Sequence, residues 1–489
     1  MDRPLRILFL SAEVVPFAKT GGLADVAGAL PKAIEALRHD IRVAMPRYGR
    51  IDPAKFDLTT VIDSLDVPMD SVTEQVSILQ GRIGVNVPVY MVNSDKYYNR
   101  EGIYGYQDDG ERFILFCRAT VEMVKRLGWQ PDIIHCNDWH TAIVPNWMKT
   151  IYKDDPFFQN TATVYSIHNL AYQGVFGYRI LEIAGIDEYG FVYPQLSELA
   201  NAVDLMGRGI LFADVITTVS ERYAQEILSP EYGEKLDPVL RDRKDRLFGI
   251  LNGVDYEEMD PRVDRYIAAN YDLDTLDRRV ENKLALQREA NLTVDPRVPL
   301  IGVISRLADQ KGFDILGEMI DPMLAFNSVQ FVLLGTGDQH YHDMFARVAQ
   351  RFPSQAAVFL TFNAALAQKI YAGSDMFLMP SRYEPCGLGQ LIAFRYGSVP
   401  VVRNTGGLAD TVKDFDPTTG EGTGFVFEPY NHWALYTAIV RAVENYRYKD
   451  TWRTLQKRGM TADYSWSASA VKYLSVYEQA IGFRKGDRD

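Results

Sequence analysis

Two doubly wound α/β domains are predicted for this chain, on three observations. Short apolar runs, many of them β-branched, alternate with helical patterns or polar loops, which implies parallel sheets covered by helices on both faces. The series runs once through the first half and again through the second. Several strand ends carry Gly, Lys, Arg or Glu, and ligands of open parallel sheets sit beyond the carboxyl ends of the strands.

In the first half the strand candidates are Ile7–Leu10, Ile41–Met45, Val87–Val92, Asp132–His135, Thr163–Ile167 and Val215–Val219. A helix is expected over Tyr223–Leu228, and the polar Ser229–Arg246 reads as a connector. The second series comprises Pro299–Ile304, Val329–Leu334, Ala357–Thr361, Met376–Met379, Val399–Val402 and Gly424–Phe427. Its helices are expected near Leu276–Ala290, Ile315–Met323, Ala364–Ala372 and Leu435–Asn445, and Trp452–Gly482 as a helical tail. No internal sequence repeat stands out; the architecture repeats. The domains are placed at residues 1–246 and 247–463, with 464–489 as a C-terminal helix packing back on the first.

With 489 residues, 47% hydrophobic and 24% charged, there is material for large cores. A net charge of −12 and a pI near 5.2 argue against nucleic acid or an anionic membrane as partner. An anionic ligand then needs a local basic pocket. Three cysteines without a CxxC pair fit a reducing compartment and speak against zinc. The apolar run near the N-terminus is too short for a signal peptide or a membrane span, so a cytoplasmic location is expected.

The densest chemistry lies in Phe377–Leu391. Pro385 biases Glu384 away from helical backbone and pre-sets a first helical turn. A carboxylate at the end of a strand faces a ligand, or else caps the helix or pairs with Arg382. Leu388, Leu391 and Ile392 read as one helical face. Arg306 and Lys311 in the Ser305–Gly312 loop could converge on a diphosphate, Arg as a fork and Lys as a compact charge; a solvated loop is the alternative. Gly335-Thr336-Gly337-Asp338 and Asn404–Asp410 close two further strands, and four such loops on one sheet edge favour an anion-binding cleft.

The first strand leads to Lys19-Thr20-Gly21-Gly22-Leu23-Ala24-Asp25. Paired glycines let backbone approach a ligand, or simply make a tight turn. Neither a Walker loop nor a G-x-G-x-x-G fingerprint is present. Asp138 and Trp139 pair hydroxyl acceptors with a flat apolar face, which suits a sugar. His168 reads as a hydroxyl partner; for His135 and His140 the alternative to a site role is a satisfied core histidine. No H-x-x-x-H or H-E-x-x-H spacing supports a metal. The aromatic cluster Tyr97–Tyr106, with Tyr98 and Tyr104 as acceptor-side candidates, is a platform for a sugar chain or a satellite core under a loop.

These motifs together resemble the bacterial glycogen synthase and plant or cyanobacterial starch synthase family. The matching stretches begin at Lys19, Asn137, Ser166, Asn252, Ser305, Pro380 and Arg403 and span nearly the whole chain. The resemblance implies the GT-B arrangement, two Rossmann-like domains with the active site in the cleft between them. It also implies transfer of glucose from a nucleotide sugar, ADP-glucose first, to the non-reducing end of an α-1,4-glucan, with retention and without metal or other cofactor. On it, Lys19, Gly21 and Gly22 resemble the donor signature, and Arg306 and Lys311 the pair on the diphosphate. Glu384 matches the acidic group beside glucose. Asp25, Asp138, His168, Asn252, Cys386 and Gly387 match positions around the sugar, Leu388 follows them, and Phe362 falls where an aromatic meets the base. Gly389 departs from the usual Thr or branched apolar residue. Ile392 stands where related sugar transferases carry a second Glu.

Three other classes share parts of this pattern. A nucleotide-dependent oxidoreductase lacks its glycine fingerprint here, and a PLP-dependent glucan phosphorylase lacks a cofactor-lysine motif. A glucan-binding or scaffolding homologue without activity is opposed by the intact Lys19, Arg306, Lys311 and Glu384. ADP-glucose against UDP-glucose is left open by the sequence.

Overall fold

In the computed structural model, which describes residues 3–189 and 202–486, the chain divides into two units. One comprises Met1–Val219, Ala224–Gly253 and Trp466–Asp489; the other comprises Ser220–Tyr223 and Val254–Ser465.

The first unit is built on Arg6–Leu10 (β1), Asp40–Pro46 (β2), Thr59–Met69 (β3), Val72–Ile83 (β4), Val87–Asn93 (β5), Ile133–Asn137 (β6) and Ala162–Ile167 (β7). Val175–Gly177 (β8) and Ala202–Asp204 (β9) form a small separate pair, and Val215–Thr218 (β10) and Leu247–Gly249 (β11) complete the set. The main sheet runs β11-β10-β7-β6-β1-β2-β5-β4-β3. Phe9 and Leu10 are fully buried in β1, with parallel partners on both sides, and a doubly covered central strand therefore reads as continuous apolar sequence.

From β1 the parallel strands run outward through β2 and β5, then return to the other side through β6, β7, β10 and β11. The order reverses between β1 and β6. That switch point is where an open α/β sheet leaves a crevice at its carboxyl edge.

The first unit differs from the predicted elements in the β3–β4 hairpin and in the connector. The β3–β4 hairpin is antiparallel and solvated on one face, and β3 buries only some of its residues. Its polar-apolar alternation lacks the unbroken apolar runs that mark the central strands. The expected connector over Ser229–Arg246 contains a helix, Asp237–Asp242, and leads into the short edge strand β11.

The second unit contains Leu300–Ile304 (β12), Gln330–Leu334 (β13), Ala356–Phe359 (β14), Met376–Met379 (β15), Val399–Arg403 (β16) and Phe425–Phe427 (β17). All pair in parallel in the order β14-β13-β12-β15-β16-β17, the doubly wound 3-2-1-4-5-6 order. Here the switch point lies between β12 and β15. Helices Phe313–Phe326 and His432–Tyr446 bury Leu316, Ile320, Met323, Leu435 and Ile439 against one face. Leu286, Leu366 and Ile370 cover part of the other.

The helical tail is two helices, Lys449–Thr461 and Trp466–Gly486. The break is pinned at Tyr464, whose carbonyl accepts from Val254 N (2.8 Å) and whose N–H donates to the Tyr256 hydroxyl (2.9 Å). Among the described residues no helix is long and apolar enough to cross a membrane.

Candidate active-site residues

At the switch point of the first unit, the loop after β1 is organised by Glu13. This carboxylate is 4% exposed. Its Oε1 accepts from the Tyr104 hydroxyl (2.6 Å) and its Oε2 from the backbone N–H groups of Thr20 and Gly21, the latter at 3.1 Å. The Lys19–Gly22 turn is thereby held ahead of helix Gly22–Ala36. Lys19 Nζ lies 2.6 Å from Asp25 Oδ1 at the surface.

Gly21 has an extended backbone (φ −141°), which any residue adopts. A Cβ built on Gly21 or on Gly22 meets no atom within 4 Å. Neither backbone conformation nor packing within the chain calls for glycine here, so the free space beside the turn fits close approach of a ligand.

The loop after β6 presents Asp138, Trp139 and His140. Asp138 has φ 54° and ψ −176°, a region that costs a non-glycine residue about 1–3 kcal/mol and is held only when its surroundings demand it. Its carboxylate accepts from the backbone N–H groups of His168 (2.8 Å) and Asn169. Burial pushes its pKa up to about 7, against those two hydrogen bonds. His168 Nε2 lies 2.8 Å from Asn137 Oδ1, while Asn137 Nδ2 donates to Leu10 O. Because Oδ1 can only accept, Nε2 carries the proton, and Nδ1 is an acceptor suited to a hydroxyl. Burial lowers the His168 pKa to about 4, so the ring is neutral near pH 7. Asp138 and His168, far apart in sequence, thus stand together.

Trp139 packs in an aromatic cluster with His140 (centroids 4.1 Å apart), Phe113 (5.2 Å) and Phe176 (5.4 Å). Gly174, with φ +68°, lies against its ring; a Cβ there would come within 2.4 Å of it. Tyr104 stacks on His140 at 4.9 Å and keeps part of its surface. Tyr98 does not. It is 0% exposed and its hydroxyl donates to Arg112 O (2.7 Å), so it does not take the expected acceptor-side role: its ring belongs to the core beneath the loop.

His135 is likewise a core residue, with its ring nitrogens 2.8 Å from the Tyr477 hydroxyl and 2.6 Å from Ser166 Oγ. Desolvation lowers the pKa values of His135 and His140 to about 3. Both folded values lie below the unfolded value near 6.5, so each group stabilises the fold above that pH, and the contribution is lost as pH falls toward 3. In an NMR titration both rings are expected to remain neutral through pH 5; a midpoint near 6.5 for either would contradict its burial as a neutral group.

At the switch point of the second unit, Glu384 follows β15 and Lys311 follows β12. Lys311 Nζ lies 2.7 Å from Glu384 Oε2, which also accepts from Ser381 Oγ (2.9 Å). Glu384 is 6% exposed. The helix expected to begin at Pro385 begins instead at Gly389, because Gly387 turns the chain with φ +71°. Glu384 therefore does not cap that helix; among the described residues its carboxylate is held by Lys311 and Ser381. Arg382 is paired with Asp314 (2.9 Å).

The glycines of this edge have a different task from Gly21 and Gly22. A Cβ on Gly312 would lie 2.0 Å from Pro380 O, on Gly335 2.0 Å from Ser305 O, and on Gly337 2.1 Å from Leu307 O. On Gly406 it would lie 1.9 Å from Glu384 O, and on Gly407 1.9 Å from Cys386 O. These loops interlock backbone against backbone into one platform under Glu384. Ser220 Oγ adds a 2.6 Å hydrogen bond to Pro385 O. A hexapeptide does repeat: Thr20–Asp25 and Thr405–Asp410 are identical, yet the first pair of glycines faces open space and the second a neighbouring loop.

Arg306 is exposed after β12, with Nη2 3.4 Å from Gln310 Oε1. Gln310 joins this loop to the next, accepting from Arg382 N at 2.8 Å. Phe362 stands 79% exposed after β14, before a helix capped by Asn363. Cys386 is buried, and Leu388 is half-buried beside it. Gly389 opens its helix against β15: a Cβ there would come within 2.9 Å of Phe377 Cε1, so a branched residue needs that ring to move. Ile392 packs into the apolar core. In the first unit, Asn252 is buried, and its Oδ1 has no hydrogen-bond partner among the described residues. Glu13 escaped the sequence reading because its partners lie 7, 8 and 91 residues away.

Residues 6–242 match the starch synthase catalytic domain, and residues 287–458 match glycosyl transferases group 1. The chain is 50% identical over 489 residues to the glycogen synthase of Desulforudis audaxviator (strain MP104C), covering 98% of this chain and 97% of that one. It is 50% identical over 488 residues to that of Moorella thermoacetica, covering 99% of both. The solved catalytic domain of starch synthase IV from Arabidopsis thaliana, bound to ADP and acarbose, superposes with a TM-score of 0.91 at 33% identity, covering 98% of this chain and 100% of that one. Two Rossmann-like units with these matches define a glycosyltransferase of GT-B fold. The chain belongs to the glycogen synthase and starch synthase family.

Proposed function

We propose that the chain transfers glucose from ADP-glucose to the non-reducing end of an α-1,4-glucan with retention at C1. The observation that carries this reading is the Lys311–Glu384 pair at the β12/β15 switch point, 2.7 Å apart and set in a platform of interlocked loops. The ADP and acarbose held by the plant starch synthase IV structure support the choice of donor and acceptor.

Breaking the bond from C1 to the diphosphate leaves a negative leaving group and an oxocarbenium-like sugar. Arg306, Lys311 and Lys19 supply fixed positive charge for the first. Lys311 keeps two N–H donors beyond the one on Glu384. Glu384 Oε1 is then available to a glucose hydroxyl, and the carboxylate favours positive charge on the ring. A double displacement needs a nucleophile and an acid/base carboxylate ~5–5.5 Å apart. Front-face attack needs neither: the acceptor hydroxyl passes its proton to a departing phosphate oxygen as the new C–O bond forms. His168 Nδ1 and the Asp138 carboxylate hold sugar hydroxyls, Trp139 and Tyr104 line the acceptor side, and the unpaired Asn252 Oδ1 takes a donor from the ligand. None of these roles calls for a divalent ion or other cofactor. Three buried free cysteines fit a cytoplasmic setting.

Incubation with labelled ADP-glucose and glycogen is expected to give labelled polymer and released ADP. Binding of glycogen without ADP release would instead identify a non-catalytic homologue, and stronger turnover of UDP-glucose would reassign the donor. Phe362, exposed and assigned to the base, should matter for donor affinity alone. Stacking on a base contributes about 1–3 kcal/mol, so Phe362→Ala should raise the donor KM roughly 5- to 150-fold with little change in kcat. An unchanged donor KM would remove Phe362 from the site.

A further inference from the structure

Glu13 has an arrangement that its surroundings do not require for packing alone. It is a buried carboxylate with no cation paired to it among the described residues, satisfied by three donors from two separate segments. Two are backbone N–H groups of the Lys19–Gly22 turn. The third is the hydroxyl of Tyr104, whose ring stacks on His140 next to Trp139. Its own backbone is fixed on either side: Ser11 Oγ donates to Glu13 O (2.6 Å) and the Tyr48 hydroxyl to Ala12 O (2.8 Å). A carboxylate is acceptor-only and has room for all three bonds. The turn it holds is the one whose glycines face open space.

We infer that Glu13 is a positioning residue that ties the Lys19–Gly22 turn to Tyr104, so that one buried carboxylate sets the donor-side backbone and the acceptor-side aromatic cluster together. This rests on the proposed function for the meaning of the two sides, and on the hydrogen bonds alone for the tie. Without Glu13, the N–H groups of Thr20 and Gly21 lose their acceptor and the turn its anchor. A misplacement of about 1 Å at a reacting site can lower the rate by about 10²-fold. Gln retains the shape, one acceptor for the turn, and an amide that can donate to the Tyr104 oxygen.

The test combines kinetics with amide hydrogen exchange on the full chain. Glu13→Ala is expected to lower kcat/KM for the donor by about 10²-fold and to speed exchange in peptides covering residues 18–24. Glu13→Gln should recover to within about threefold of wild type, with slow exchange restored. Tyr104→Phe should loosen the same peptides, and Glu13→Ala with Tyr104→Phe should be no worse than Glu13→Ala alone, because the two changes break one linkage. The proposal is overturned if Glu13→Gln is as impaired as Glu13→Ala, if the double variant is additive, or if exchange at 18–24 is unmoved. Should Glu13→Ala fail to fold, Tyr104→Phe and Glu13→Gln still decide through the exchange rates. If the wild type transfers no glucose, the proposed function falls, while the exchange comparison still reports on the tie.

Discussion

Replacing Lys311 by alanine is expected to lower kcat/KM by about 10²–10³, the usual loss when one preorganised charge partner of a transition state is removed. Lys311 acts on two groups at once. Its ammonium holds Glu384 Oε2 at 2.7 Å, and it is assigned to the leaving diphosphate. Alanine removes both interactions and leaves Glu384, 6% exposed, with Ser381 as its remaining partner among the described residues. The Lys311 side chain is about one-fifth exposed, so water can enter and the fold should survive, as a circular dichroism spectrum and thermal melt would show. Lys311→Arg keeps the charge but not the compact geometry, and should recover only part of the rate. Near-normal kcat/KM in a folded Lys311→Ala protein would remove the residue from the chemistry. Glu384→Gln complements this result: turnover should fall by a similar factor while ADP binding, measured by calorimetry, is retained.

The second large effect separates two kinds of glycine. Gly407→Ala would place a Cβ 1.9 Å from Cys386 O, in contact with backbone that cannot swing aside. The Glu384–Gly387 segment must shift, with a loss of about 1–3 kcal/mol of stability, as for other overpacked sites. Turnover should fall with it, because the carboxylate rides on that segment. Gly22→Ala meets nothing within 4 Å and lies at the first position of a helix, so the added methyl group costs no packing within the chain. It should fold at least as well as wild type and still lose donor turnover, because the methyl group enters the space assigned to the ligand. Denaturant midpoints and kcat/KM for the two variants give the comparison. Equal stability loss in both would show that the Gly21–Gly22 space is filled by the protein itself.

Much of the fold is legible in the sequence. Apolar runs such as Ile7–Leu10 and Met376–Met379 announced central parallel strands, and the charged or glycine-rich residues at their ends marked the carboxyl edge of each sheet. Tertiary surroundings decided the rest. Thr20–Asp25 and Thr405–Asp410 have the same six letters, so no local signal could tell an open turn from one filled by Glu384 O and Cys386 O. Tyr98 and Tyr104 lie in one aromatic cluster, yet Arg112 and the helix over Asp109–Arg126 bury the first and leave the second partly open. Pro385 advertised a helix start that the left-handed Gly387 postponed to Gly389. Glu13 carried no motif of its own, since its role exists only where its distant donors meet.

The most direct test of the central claim is a crystal structure with ADP bound. The β-phosphate oxygens should lie about 3 Å from Lys311 Nζ and from the Arg306 guanidinium, with no cation bridging the diphosphate. A diphosphate beyond hydrogen-bond reach of both side chains, or one held by a divalent ion in their place, would contradict the assignment of the leaving-group charge to these residues.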